Sequence, residues 1–536
     1  MKKTEAQLNE TLNSWQILIR GLALVAAMGL AGCVDSDEDS VNSSDNVTTN
    51  SAADIAQESA DNYDNNVNGL ISGSTLESWI DDWEANRPSG ISGDLVILQI
   101  HPGMARYTQD TDSNGTYEET NDLAYISPDE AGGVRVYSVD HNDLRMDRSN
   151  GVLTTRSMVA DGPTIDGFLQ DRQIDPTEDM IVFAVGQGGN FQAMKLGRGW
   201  YTMRYWGVEK EHLAVLNGGA QAVMAENYMG ASASDLPSQP GDFSVRELEQ
   251  DNTALQVTLE EMIQEASNAS GDVFIWDARN IEQYNATEDP FQNGGSAQGH
   301  PNGAVELNYA NLLVSDASQT PRFLYGYQDL SGDCPGDTDA NDESIYALTD
   351  DADGTNDSDA DPANGDCYYP SYAWRSKSEL ETAMNGGIIN GAQFQDLNGA
   401  LGSGNAYQDG QEVWTYCETT YRAMVTGFAT VGILGLPTRF YDGAMVEWHT
   451  MSNAYDKFGN QLLPGDSPWR TDKNSVSFFK YNKQSLTEPR RIDDPYADNT
   501  NAIILADRAY KISGSGDSGG DDDDSGATLP PNPCGG

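Results

Sequence analysis

One arrangement of strands and helices occurs twice in this 536-residue chain, and it limits the fold more than any other feature. An amphipathic helix near Leu76 to Glu84 precedes the apolar run Gly93-Asp-Leu-Val-Ile-Leu98, and another near Leu259 to Ala266 precedes Gly271-Asp-Val-Phe-Ile-Trp276. Further along, Ile181-Val-Phe-Ala-Val185 leads through a helical stretch around Met194 to Trp206 into Leu213-Ala-Val-Leu, then Asn217-Gly218. In the second half Val413-Trp-Thr-Tyr416 leads through a helical stretch to about Leu434 into Thr438-Arg-Phe-Tyr, then Asp442-Gly443. Buried strand runs alternating with helices predict parallel sheets covered on both faces. The chain is too long for one core, so the pattern predicts two α/β domains, over 73–235 and 252–510. The second half is the longer between matching landmarks, and the excess falls in an acidic insertion at about 331–370.

Charge excludes one class of partner. With 84 acidic against 30 basic side chains the net charge is −54, and nucleic acid is not expected, because binding it needs Lys and Arg to neutralise phosphates. Lys2, Lys3 and Arg20 precede an apolar run, Gly21 to Leu30, that is too short to span a bilayer comfortably and fits the core of an export signal. Leu30-Ala-Gly-Cys33 resembles a bacterial lipoprotein box, which implies a signal peptide over 1–32 and lipidation of Cys33. Val34 after that cysteine resembles lipoproteins sent on to the outer membrane. Residues 33–72, rich in Asp, Ser and Asn, are expected to form a disordered acidic tether, and 511–536 a disordered Asp/Gly/Pro tail that holds Cys534.

Cys417 stands where a strand run hands over to a helix, in Tyr416-Cys-Glu-Thr-Thr-Tyr-Arg422-Ala423. Loop amides and the first helical turn there point N–H groups at the sulfur, and the helix dipole adds positive charge; both favour a thiolate or persulfide. Arg422 adds a fixed charge that could hold an anion. The rival reading is a buried, inert cysteine, since free Cys packs well in cores. Cysteine, four residues, then Arg-Ala entering a helix resembles the active-site loop of rhodaneses, the sulfurtransferases. Asp277-Ala278-Arg279 is similar to their Asp-x-Arg signature, Gly299-His-Pro-Asn-Gly-Ala304 to their Gly-His-Ile-Pro-Gly-Ala turn, and Tyr441 to Trp448 to their closing motif. Trp200 to Gly219 resembles the matching stretch of tandem members. The resemblance implies two rhodanese-like domains, with Cys417 as sulfur carrier and Arg422 at its loop. It also implies that Asp277 and Arg279 support the loop, and that the amides of Glu418, Thr419, Thr420, Tyr421 and Arg422 cradle the persulfide. No cofactor is required for this chemistry.

The first half departs from that pattern. Gln99 takes the place of Asp277, His101 that of Arg279, and Val185-Gly-Gln-Gly-Gly189 that of the cysteine loop, so this domain is expected to be non-catalytic. In the second half no arginine follows the Asp-x-Arg signature closely, Glu418 is expected to repel a dianion such as thiosulfate, and Thr420 sits where a turn favours glycine. Phosphatases of the same topology have five residues between Cys and Arg, against four here, which argues against an oxyanion-sized cradle.

Two acidic loops have the oxygen spacing of cation sites. Asp110, Asp112, Asn114, Thr116 and Glu118 alternate around Gly115 as in a calcium loop, although Asn121 stands where a bidentate glutamate belongs. The alternative is a solvated loop. Cys334 and Cys367 flank the larger acidic insertion and could bridge outside the cytoplasm. Scattered His and Cys show no zinc spacing. Together these features predict an envelope sulfurtransferase that takes sulfur or selenium from a small donor to a thiol or cyanide-like acceptor. The alternative expectation is a non-catalytic lipoprotein that uses the same scaffold to bind envelope proteins, for instance beside a respiratory complex.

Overall fold

The computed structural model describes residues 47–100, 126–186, 190–224, 231–287, 298–315, 372–452, 463–478 and 491–513, together with the backbone of three two-residue strands within 108–124. Strands of the two main sheets are numbered β1 to β9. The first sheet contains β1 (Gly69–Ile71), β2 (Leu95–Ile100), β3 (Val134–Val139), β4 (Met180–Ala184) and β5 (Leu213–Leu216), all parallel, in the order β1-β5-β4-β2-β3. The second contains β6 (Val273–Asp277), β7 (Val305–Glu306), β8 (Glu412–Tyr416) and β9 (Thr438–Phe440), also parallel, in the order β7-β6-β8-β9. A parallel bridge from Gln256 to Phe440 extends the second sheet past β9 as β1 extends the first past β5. The protein is α/β, with parallel sheets flanked by helices.

Six helices matter below: α1 (Gly73–Asp81), α2 (Asn190–Tyr205), α3 (Leu259–Asn268), α4 (Tyr421–Phe428), α5 (Ala444–Thr450) and α6 (Ala502–Ile512). Because side chains alternate along a strand, β2 serves two cores at once. Leu95 and Ile97 pack with Trp79, Trp83 and Leu216 on the outer face. Val96, Leu98 and Ile100 join Trp200, Trp276, Phe428 and Phe440 in a core continuous between the two sheets. Leu259, Met262, Tyr416 and Trp448 cover the outer face of the second sheet. Helices α2 and α4 meet at Gly197, where a Cβ would lie 2.7 Å from the Met424 carbonyl oxygen. Beside that approach Trp200 meets Phe428 edge to face, centroids 5.2 Å apart.

The ends of the folded body differ from expectation. Residues 47–72, read as tether, are built into the structure. Ser51 and Asp54 form a capping box on the short helix Ala52–Ile55. The amides of Gln57 and Ser59 donate to Val431 and Ile433 of a π-helical turn in the second half, at 2.7 and 2.9 Å. Residues 69–71 then supply β1. Polar composition hid this strap because few apolar side chains, among them Ile55, Leu70 and Ile71, are needed once the backbone bonds are made to another segment.

Helix α6, expected within the second domain, packs on the first half. Asp507 accepts from Arg148 at 2.6 and 2.8 Å and from the Tyr205 hydroxyl at 2.7 Å, and Lys511 Nζ donates to the Trp206 carbonyl. The helix reaches Ile512, past the expected start of the tail. The signal peptide, Cys33, Asp110, Asp112, Asn114, Thr116, the 331–370 insertion with Cys334 and Cys367, and Cys534 lie outside the described residues; Glu118 is described only as strand backbone.

Candidate active site

Strand β8 ends at Tyr416 and α4 begins at Tyr421, so the four residues Cys417 to Thr420 make the turn between them. Thr420 carries the chain through it in the left-handed region, φ +68°, the position where the sequence suggested glycine. Its hydroxyl donates to the Asp442 carbonyl at 2.8 Å, which holds an arrangement that β-branched residues otherwise avoid. None of the backbone N–H groups of Thr419 to Ala423 donates a hydrogen bond among the described residues. They are the orphan donors of a helix start, an arrangement that suits an anion. The Cys417 and Glu418 carbonyls accept from Met445 and Val446 of α5, which ties the closing motif to the loop.

Behind the loop, Asp277 and Arg279 form a completely buried pair. Asp277 accepts from Arg279 Nη2 at 2.6 Å, from Arg279 Nε at 2.9 Å and from the Tyr416 hydroxyl at 2.9 Å. Arg279 also donates to the Gly299 carbonyl and stands 3.9 Å from the Glu418 carboxylate. Asp277 and Glu418 thus face a single guanidinium, which Asp277 already engages through two nitrogens. His300 of the same turn stacks on Tyr284, centroids 3.7 Å apart, and burial lowers its pKa to about 4, so it is neutral.

Cys417 is free and 1% exposed, in the core shared by the two sheets. Its surroundings are not wholly apolar. Arg422, half-buried, donates to the Gln283 side chain at 2.8 Å. The Tyr309 phenol is pushed up to about 12, chiefly by burial, with Arg422 drawing it down and Cys417 raising it. Sequence reasoning passed over Tyr309; its one local signal is Asn308, whose side chain caps the short turn that carries it. Glu306, also missed, is buried beside Asp277 on β7 and raised to about 8, chiefly by burial.

The first half closes the site with no thiol of its own. Strand register pairs Gln99 with Ala184 where Asp277 pairs with Tyr416, so Val185 stands in the place of Cys417. His101 and residues 187–189 lie outside the described residues. The two halves interlock reciprocally: Arg198 of α2 reaches Asp442 at 2.7 Å, fully buried, and the Trp374 amide donates to Asn217 at 2.8 Å. On one side of the cysteine loop an open cleft of about 380 Å³ separates Thr419 from the hairpin Arg145–Val159 of the first half.

No protein-family model matches the chain, and no curated protein sequence does. Among solved structures it is similar to Tum1 from Saccharomyces cerevisiae (15% identity, TM-score 0.41, 72% of this chain and 95% of that one). It is also similar to 3-mercaptopyruvate sulfurtransferase from Leishmania major (12%, 0.38, 70% and 73%). A third is the anaerobic ergothioneine biosynthesis enzyme from Chlorobium limicola, in complex with trimethyl histidine (14%, 0.39, 71% and 68%).

Proposed function

We propose that the chain is a sulfurtransferase of rhodanese type, carrying sulfane sulfur on Cys417 in the bacterial envelope, where lipidation of Cys33 anchors it to the outer membrane. The observation that carries this reading is Cys417 on a four-residue turn whose following amides are unbonded and whose helix brings Arg422. In the first step the Cys417 thiolate attacks the outer sulfur of a donor persulfide. A new S–S bond forms, the donor's S–S bond breaks, and the donor leaves as a thiolate. In the second, an acceptor thiolate or cyanide attacks the outer sulfur of the Cys417 persulfide, and the electron pair of the broken bond returns to Cys417. No outside oxidant or reductant is consumed. Loop amides and Arg422 stabilise the anionic sulfur, and the Asp277–Arg279 pair fixes the loop from behind. The acidic loop 110–118 remains a candidate calcium site.

Burial of Cys417 supports a second reading, a non-catalytic scaffold that binds envelope proteins. Mass spectrometry of the full chain after exposure to inorganic polysulfide separates the two. A sulfur-atom mass gain on the Cys417 peptide, lost in Cys417→Ser together with thiocyanate formation from cyanide, is the expected result. An unmodified Cys417 peptide leaves only the scaffold.

A further inference from the structure

Helix α6 is inverted for a surface helix. Such helices ordinarily turn an apolar stripe inward and their charges to solvent. In α6 the charges face the body: Asp507 pairs with Arg148, and Lys511 Nζ donates to the Trp206 and Gln250 carbonyls. Arg508 donates to Asp251 at 3.0 Å, and the Tyr510 hydroxyl donates to Asp166. The outward face carries Leu505, Ala506, Ala509 and Ile512, with Leu505 51% and Ile512 38% exposed. Residues seven apart share a helix face, so these two large side chains stand in line over two turns, with Ala509 between them. Asp507, the one carboxylate of the helix, is 2% exposed. A chain of net charge −54 therefore shows solvent an apolar helix face to which the helix contributes no acid.

The place of this face in the fold points to what covers it. Thr48, at the start of the strap, pairs in parallel with Gln250, and the Asn50 amide donates to the Asp251 carbonyl at 2.9 Å. Gln250 and Asp251 are the same two residues that Lys511 and Arg508 hold. The strap thus starts beside the last turns of α6. Residues 33–46 connect Cys33 to this point, and a segment of that length reaches at most about 50 Å even when fully extended.

We infer that the outer face of α6 rests on a lipid bilayer, with Leu505 and Ile512 entering the boundary between headgroups and acyl chains. The inference rests on the lipidation of Cys33 proposed above. Apolar helix faces bind this boundary in proportion to the apolar area they bury, and two large side chains are too few to hold a free acidic protein there. A short tether supplies what they lack, because it keeps the face at roughly millimolar effective concentration. The contact fixes how the folded body stands on the membrane.

Photolabelling tests it. The full lipidated chain is placed in vesicles of phosphatidylethanolamine and phosphatidylglycerol that contain a lipid with a diazirine on its acyl chain, then irradiated, digested and read by mass spectrometry. Lipid adducts are expected on peptides covering 502–513, reduced roughly tenfold in the double variant Leu505→Asp/Ile512→Asp. Both side chains are exposed, so the variant keeps the fold, which circular dichroism checks. Ile388 and Leu401 are more exposed, at 65% and 60%, but their segment is bridged to β7, the edge of the second sheet away from Gln256. Their peptides are expected to stay clean. Adducts there that match those on α6, or adducts on α6 that survive the double variant, overturn the inference. The same digest reports the acyl mass on Cys33. An unacylated Cys33 removes the anchor and this inference with it. An acylated Cys33 with α6 clean overturns this inference alone, and a dimer that the double variant dissociates then assigns the face to a second copy.

Discussion

At one level of each sheet three neighbouring strands present a row of residues, and the two rows differ in kind. In the first half the row is Ser138, Gln99, Ala184; in the second it is Glu306, Asp277, Tyr416. Strand order and sense around the rows are the same, and so is the apolar sandwich on both faces. What distinguishes the two rows is buried titratable groups. The second half holds Asp277, Arg279 and Glu306 at 0–3% exposure, directly beneath the turn that carries Cys417. The first half holds an uncharged row beneath Val185. Packing sustains the fold in either case, so the charges in the second half add a cost that apolar packing alone would avoid. Their position under the cysteine turn is the reason to read them as support for a site.

Moving the thiol tests the difference most severely. Cys417→Ser combined with Val185→Cys is expected to show no sulfur-atom mass gain at position 185 after polysulfide treatment, a complete loss relative to wild type. Uptake at 185 would show that the charged row and Arg422 are dispensable.

A smaller effect separates the two rows by stability. Asp277→Ala leaves Arg279 fully buried without its main partner and should cost about 3–5 kcal/mol, read from urea unfolding. Gln99→Ala at the matching place should cost about 1–3 kcal/mol. Equal losses would mean that the buried pair does no more than a neutral hydrogen-bonding residue.

The last of the three concerns pH. Glu306 is raised from about 4.5 to about 8 on folding, chiefly by burial. Between those values the folded state binds a proton that the unfolded state has released. Stability is therefore present at the acid end and lost as pH rises through the window, with a slope of up to about 1.4 kcal/mol per pH unit from this group. Glu306→Gln should remove that slope between pH 5 and 8, measured by unfolding at each pH. Ser138, its counterpart, does not titrate, so a variant at 138 should leave the slope unchanged.

Much of this was legible in the chain. Parallel strands at 95–100, 180–184, 213–216, 273–277, 412–416 and 438–440 follow from apolar runs alternating with amphipathic helices, because sheets buried on both faces need such runs. The handover from Tyr416 to Tyr421 and the Asp277–Arg279 pairing follow from local sequence, since both are contacts between residues close in the chain or on adjacent strands. The strap at 47–72 was hidden because its partners are carbonyls of a helical turn more than 350 residues away. Helix α6 was assigned to its neighbour in sequence when its anchor, Asp507, pairs with Arg148 of the first half.

Sequence by itself determined the class of fold, the place of the one described thiol and the absence of its counterpart at Val185, since these depend on hydrophobic period and on residue identity. Only the tertiary structure decided which half faces Thr419 across the cleft, how deeply Cys417 is covered, that Tyr309 stands near it, and that Glu306 lies beside Asp277. Those outcomes depend on distances between segments remote in the chain, and no local pattern encodes such distances.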